Sequence, residues 1–417
     1  MTSTQSTLDV TWRIEGARII AALARFTGDV GRAEDLVSDA TLEALATWPD
    51  AGVPRNPAAW LTAVAKRRAI DSWRRDARLA ERYAAMAQEL DDQHPDNPAD
   101  ALEAVDDDVL RLVFIACHPV LSRESQVALT LRIVAGLTTT EIGRMLLAPV
   151  ATVQARITRA KRTLAEAHVP FESPEPTELR ERLAGVLSVV YLIFTEGYAA
   201  TTGDTWMRRD LAREALRLGR TLAGLMPREP EVFALVALME FQSSRFASRT
   251  DAAGQPVLLA DQDRARWDHA QIRRGSDALK RADALGRGRG AYALQAAIAE
   301  CHSRAPSIDD TDWDRVVVLY EALGRLAPNP IVDLNRAVAV SMATEPASAL
   351  QIVDDLAAAG SLAGTHLLPS VRGELLAQLG RHDEARAELE RAAELTGNAR
   401  EAEVLREKAH RVGLAHT

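Results

Sequence analysis

The chain has 417 residues, of which 47% are hydrophobic and 26% charged, with a net charge of −9. That length allows two or three domains with ample core, and the composition is that of an ordinary globular protein rather than a disordered or fibrous one. No apolar run approaches the ~18 residues of a membrane span. Residues 1–12 lack a charged-then-apolar secretory pattern, and the two cysteines, Cys117 and Cys301, lie far apart, so a reduced, cytoplasmic setting is expected.

Helix is predicted nearly throughout. Residues 10–27 carry Ile14, Ala17, Ile20, Ala21 and Ala24 at helical spacing, and Asp29 opens a second helix over 29–47. Residues 48–57, with three prolines and a glycine, read as a loop. Helix restarts at Ala58 and runs to about Leu90 through a basic patch, where residues 66–82 hold seven Lys and Arg against three carboxylates. Residues 89–108 reverse the sign, with nine Asp and Glu and no Lys or Arg, and with Pro95 and Pro98 they read as a linker. A solvated spacer has the same composition. Local sign outweighs the chain total for phosphate contact, because screening limits exposed charges to a reach of ~10 Å.

Helices resume near Val105 and lead to a compact helix-turn-helix at 138–162. Ile142, Met145 and Leu146 share one face of a short helix, Pro149 breaks it, and a second helix begins at Val150. Val153, Ile157, Ala160 and Leu164 point one way on that helix, leaving Gln154, Arg156, Arg159, Lys161 and Arg162 to donate elsewhere. Such a helix can seat its apolar stripe and lay its polar side in a DNA major groove, although an ordinary amphipathic hairpin would read alike. Cys117-His118 has no second ligand at metal spacing, so no metal is expected and a buried thiol is the simpler reading.

A proline-rich break at 169–176 is taken as a domain boundary. Beyond it, residues 366–399 form two helices around 379–382 that fit the tetratricopeptide pattern of about 34 residues, through Gly373, Leu376, Ala385, Leu389 and Ala392. Residues 330–363 repeat it less well through Ala337 and Ala349. Further second-helix candidates are 313–326 and 210–226, and 245–290 is irregular, with room for an inserted loop.

The ordered series Glu34 to Ala40, Trp48, Pro57 to Leu61, Lys66 to Asp71 and Arg74-Arg75 resembles region 2 of an extracytoplasmic-function (group IV) sigma factor. Residues 109–165 are similar to region 4 of that family, with Gly136-Leu137-Thr138 before the helix-turn-helix and Arg159 to Arg162 after it. The extension resembles that of the subgroup carrying a tetratricopeptide-like domain in place of a separate anti-sigma partner. The resemblance implies an all-α fold: region 2 over 1–88, an acidic linker over 89–108, region 4 over 109–168 and a regulatory extension over 177–417.

It also implies surfaces. Glu34, Asp35, Leu36, Asp39 and Leu42 would bind core RNA polymerase, a pairing that acidic-plus-apolar chemistry suits. Without the neighbouring motifs, that face would read as a solvated side beside a buried stripe. Arg55, Asn56, Lys66, Arg67, Arg68, Trp73, Arg74 and Arg75 would bind the −10 element, next to a loop at 48–57 that accepts a flipped base. Trp60 reads as core, and Trp73 as either core or contact. Thr152, Gln154, Arg156, Arg159, Lys161 and Arg162 would bind the −35 element. The acidic linker would mimic nucleic acid in a basic channel.

The function implied is promoter-specific transcription initiation, modulated in cis by the extension, whose repeats would take a protein or an intramolecular partner. No catalysis, cofactor, metal or membrane is expected. Two rivals are a helix-turn-helix activator with a tetratricopeptide sensor and a peptide-binding scaffold. The 33–75 motif series counts against the first, and two separate basic helices count against the second.

Overall fold

A computed structural model describes residues 3–75, 98–146, 148–175, 177–198, 207–251 and 255–414. The fold is all-α, and the described residues form no strand beyond one isolated bridge between Thr250 and Pro256. No helix among them is long and apolar enough to cross a membrane. The chain divides into two compact units, Met1–Leu192 and Ile193–Thr417.

In the first unit, helices α1 (Ser3–Thr27), α2 (Val30–Ala51), α3 (Pro57–Arg75) and α4 (Pro98–Ala116) pack around α1. Gly28, at φ 71°, ends α1 and returns its N–H to the Ala24 carbonyl at 2.8 Å. Asp29 then caps α2 by accepting from the Arg32 amide at 3.0 Å. Ile20, Leu23, Val37, Ala40, Leu61, Ala65, Ala69 and Leu112 are buried between these helices.

Two local expectations are corrected. The segment from Trp48 is not yet loop: α2 continues through Pro49 to Ala51 and stops at Gly52, whose φ is 83°. A proline in the last turn forfeits one donor where the ladder is already ending. The linker is helical where it is described, because α4 begins at Pro98, a residue preorganised for a first helical position. Its carboxylates crowd the N-terminal half, where the helix dipole favours negative charge. The apolar half that follows buries Leu112, Val113, Phe114 and Ile115. Asp108 is itself buried, held by Arg111 at 2.6 Å and Arg25 at 3.4 Å, so it ties α4 to α1. Residues 76–97, the rest of the expected basic helix and linker, lie outside the described residues.

The unit continues with α5 (Arg123–Leu129), a π-helical turn over Thr130–Val134, α6 (Thr139–Leu146) and α7 (Val150–Glu166). Cys117 sits beneath them, its thiol 3.5 Å from the Thr130 hydroxyl, and burial pushes its pKa up to about 11. A thiol held neutral in this way packs rather than reacts. Helix α8 (Leu179–Tyr198) follows the proline-rich segment, and the division between the units falls inside it rather than at 169–176. Its Arg182 donates to the Phe114 carbonyl at 3.2 Å, which ties the start of α8 to the first unit.

The second unit contains α9 (Arg209–Leu225), α10 (Pro230–Ser243), α11 (His269–Ala284), α12 (Ala291–Arg304), α13 (Trp313–Leu326), α14 (Pro330–Ala343), α15 (Pro346–Ala358), α16 (Leu367–Gln378), α17 (His382–Leu395) and α18 (Ala399–Leu414). Small residues set the close approaches. A Cβ on Gly373 would meet the Leu389 side chain at 2.8 Å, and Ala337, Ala349, Ala385 and Ala392 are fully buried. Leu334, Ala349, Val353, Leu375 and Ala385 belong to one cluster, so α14 to α17 share a continuous core. The irregular stretch is shorter than expected: among the described residues it covers 244–251 and 255–268, with two 3₁₀ turns, and α11 is regular.

Candidate nucleic-acid and polymerase interface

The helix-turn-helix is built from local chemistry. Thr138 and Glu141 form a capping box: the Glu141 carboxylate accepts from the Thr138 amide at 2.8 Å, and the Thr138 hydroxyl accepts from the Glu141 amide at 3.2 Å. That fixes the start of α6. On α7, Val153, Ile157, Ala160 and Leu164 are buried, as their spacing predicts. Thr152, Gln154, Arg159 and Arg162 are exposed, and Arg156 is half-buried. Arg162 makes only a loose 3.6 Å pair with Glu166 in solvent, so its guanidinium is free to exchange that partner.

The turn needs Gly143. An added Cβ there would meet the Ala148 carbonyl oxygen at 2.8 Å, and this oxygen belongs to backbone that cannot rotate away. Gly143→Ala is expected to cost about 1–3 kcal/mol and to weaken DNA binding. Thermal unfolding and a duplex-binding titration check it, and an unchanged melting temperature would mean the turn is looser than described.

Lys161 differs from its neighbours. It is half-buried, its ammonium pairs with Glu34 and with Asp35 (2.6 Å), and both carboxylates belong to α2. Glu34 is only 5% exposed and also receives Arg132, from Nη2 at 2.6 Å and Nε at 2.9 Å. Arg132 stands on the π-helical turn, its Nη1 on the Leu137 carbonyl at 3.2 Å and its guanidinium carbon 5.2 Å from the Trp12 ring centroid. Gly31 lets the helices close, since a Cβ there would lie 3.2 Å from the Lys161 Cβ. The helix expected to bind polymerase and the helix expected to read DNA are therefore clamped together through Glu34.

This changes the placement of several expected residues. Glu34 and Leu36 are buried, and of the α2 set only Asp35, Asp39 and Leu42 are exposed. Trp73 is a core residue, 6% exposed, with its ring 4.8 Å from Phe26 and Arg32 over it at 5.7 Å. Trp48 is also buried, edge-on to the half-buried Trp60 at 5.3 Å. Asn56 caps α3 by accepting from the Ala59 amide at 3.0 Å, while Arg55 and Lys66 are exposed. Arg67 and Arg68 both reach Glu43 of α2, at 2.9 and 2.8 Å, and Arg68 lies 3.5 Å from Asp39. Arg74 and Arg75 end α3, and their side chains lie outside the described residues.

Two organising residues escaped the sequence reading, Glu43 and Arg132. Glu43 was within reach, because Asp35, Asp39 and Glu43 recur every four residues along one side of α2. Arg132 depends on a π-helical turn that no sequence pattern marks.

The charges of the clamp set its pH window. Burial works to raise the Glu34 carboxyl, but Arg132 and Lys161 outweigh it and hold its pKa below the ordinary value of 4.5. Burial works to lower the Lys161 ammonium, but Glu34 and Asp35 outweigh it and raise its pKa above 10.5. The Glu34 contribution is present above its unfolded pKa and lost as pH falls through the depressed folded value. The Lys161 contribution is complete below its unfolded pKa and lost as pH rises through the raised one. The α2–α7 contact is thus expected to hold unchanged from about pH 5 to pH 10. A spin-label distance between α2 and α7 checks this, and a transition near neutrality would contradict it.

A relative from Rhizobium meliloti (strain 1021), described as an uncharacterized protein, is 43% identical over 392 residues, covering 93% of this chain and 91% of its own length. Residues 13–79 match sigma-70 region 2, and residues 111–164 match sigma-70 region 4. The chain belongs to the sigma-70 family of sigma factors. The paired regions support its placement in group IV, and as a sigma factor it acts in transcription initiation through core RNA polymerase and promoter DNA. Residues 182–283 match a family of unknown function, DUF6596, which begins inside α8 of this sigma factor and ends within α11.

Proposed function

We propose that this sigma factor reads the −35 element with the exposed side of α7, and contacts and opens the −10 element with the Arg55, Lys66, Arg67 and Arg68 surface beside 48–57. It grips core polymerase through Asp35, Asp39 and Leu42. The carrying observation is the split of α7, with Val153, Ile157, Ala160 and Leu164 buried while Thr152, Gln154, Arg159 and Arg162 face outward. An amphipathic hairpin serving only as core would have no need of that basic outer face. The chain works in the cytoplasm, where polymerase and DNA meet, and its chemistry is binding rather than catalysis.

Because Glu34, Asp35 and Lys161 engage one another, polymerase and promoter must each replace a partner the free chain already has. Binding either one favours the open arrangement that suits the other, which is positive coupling through a shared contact. The second unit, with its stacked small-residue helix pairs, is a tetratricopeptide-like modulator acting in cis. The test is reconstituted transcription with a chain ended after Leu192, which keeps the Arg182 bond to Phe114. Loss of output from folded sigma domains supports a required extension, and a rise supports an inhibitory one. Unchanged output and promoter choice would make it a passive appendage.

A further inference from the structure

We propose that the second unit contains a binding site for a small phosphorylated polyanion, built by Arg209, Arg245, Arg249 and Arg264 around Trp267 and Tyr198. These arginines come from the start of α9, the turn after α10 and the second 3₁₀ turn. The guanidinium carbons of Arg245 and Arg264 lie 5.5 and 5.1 Å from the same Trp267 ring centroid. Arg249 lies 3.6 Å from the Tyr198 ring centroid. Arg209 donates to the Phe246 carbonyl at 2.7 Å, which anchors it to the turn that carries Arg245 and Arg249.

The partners of Arg209, Arg245 and Arg264 are unusual for this unit. Elsewhere a guanidinium meets a carboxylate, as in Arg208 with Glu196, Arg289 with Asp283, and Arg372 with Asp354 and Glu388. Among the described residues, Arg209, Arg245 and Arg264 have only neutral acceptors. Arg245 donates to the Gln262 amide oxygen at 3.1 Å, Arg264 to the carbonyls of His302 and Ala305 at 2.6 and 2.8 Å, and Arg209 also to the Thr250 hydroxyl at 3.3 Å. Such bonds orient a guanidinium without neutralising it, and the Asp310 carboxylate acts on Arg264 only from beyond hydrogen-bond distance. Several like charges packed into a half-buried place are unfavourable unless an anion completes them.

Two further observations point the same way. Arg264 Nη2, Trp267 Nε1 and His302 Nδ1 are buried with no hydrogen-bond partner among the described residues, and Trp267 is only 3% exposed. Native interiors rarely leave such atoms unpaired. Burial, with Arg245 and Arg264 adding to it, pushes the His302 pKa down to about 4, as expected where positive potential is concentrated. The chemistry selects the ligand class. A guanidinium fork matches phosphate oxygens, and several of them together favour a multiply charged group over a lone carboxylate. Arg249 is 6% exposed, too deep for the backbone of a nucleic acid or an acidic protein surface, whereas Arg209 and Arg245 are only half-buried and leave a way in.

The experiment is calorimetric titration of the full chain with sodium pyrophosphate at fixed ionic strength, with sodium citrate as the competing class and thermal unfolding as a second readout. Pyrophosphate is expected to bind more tightly than citrate and to raise the unfolding midpoint, since a ligand held only by the native state stabilises it. Arg245→Gln with Arg264→Gln should weaken binding at least tenfold. Arg245→Lys, which keeps charge and fold but loses the fork, should weaken it severalfold. Arg325→Gln, on a side chain 83% exposed on α13, should leave it unchanged. No binding by the native chain, or equal affinity in Arg245→Lys and the native chain, would overturn the site. Citrate binding as tightly as pyrophosphate would overturn the phosphate class. The result does not depend on polymerase, so it stands or falls apart from the promoter-reading assignment.

Discussion

Replacing Arg156, Arg159 and Arg162 together with alanine is expected to lower −35-dependent transcription by roughly a hundredfold or more while core polymerase is still bound. A side chain reading a base contributes ~1–3 kcal/mol at its base pair, and a phosphate anchor weakens all sequences alike, so losing three such groups removes most of the promoter affinity of α7. The fold should not suffer, because Arg159 and Arg162 are exposed and the Arg162–Glu166 pair contributes little in solvent. The buried stripe from Val153 to Leu164 is untouched. Footprinting and run-off transcription measure the loss, and retained protection of the −35 region would sink the assignment of α7 as its reader.

The second large effect is expected on α2. Asp35→Lys with Asp39→Lys should reduce association with core polymerase by roughly a hundredfold, since truncating or reversing charges in a complementary interface costs ~2–5 kcal/mol. Stability should change far less. Asp35 is 72% exposed against Lys161, and Asp39 is 56% exposed against Arg68, so each pair is worth little to the fold. Glu34 behaves differently. It is buried, and Glu34→Ala would leave Arg132 without its carboxylate and Lys161 with Asp35 alone, at a cost of about 3 kcal/mol to the closed unit. A pull-down separates the two outcomes: full recovery of polymerase by the Asp35 and Asp39 variant, with unchanged helicity, would reject this face as the interface.

Local chemistry was legible in the sequence and distant pairing was not. The spacing of Val153, Ile157, Ala160 and Leu164 and the small residues Gly373, Ala385 and Ala392 all express short-range geometry, and each sits where its spacing implies. The bond from Arg132 to Glu34 joins residues 98 positions apart, and it rests on a π-helical turn with no local signature. Trp73 illustrates the same limit. An indole beside Arg74 and Arg75 suits base stacking or a core equally, and only the position of Phe26 decides for the core. The acidic stretch misled for a third reason. Composition read it as a spacer, while its tail carries Asp108 into a buried pairing with Arg25 and Arg111 that charge counting cannot foresee.

The most direct measurement is transcription reconstituted from core polymerase, the full chain and a genomic promoter library, with 5′ ends mapped. The account predicts start sites absent with core polymerase alone, sharing two spaced upstream elements, the distal one losing its influence when Arg156, Arg159 and Arg162 are replaced. Transcripts no different from those of core polymerase alone would contradict it.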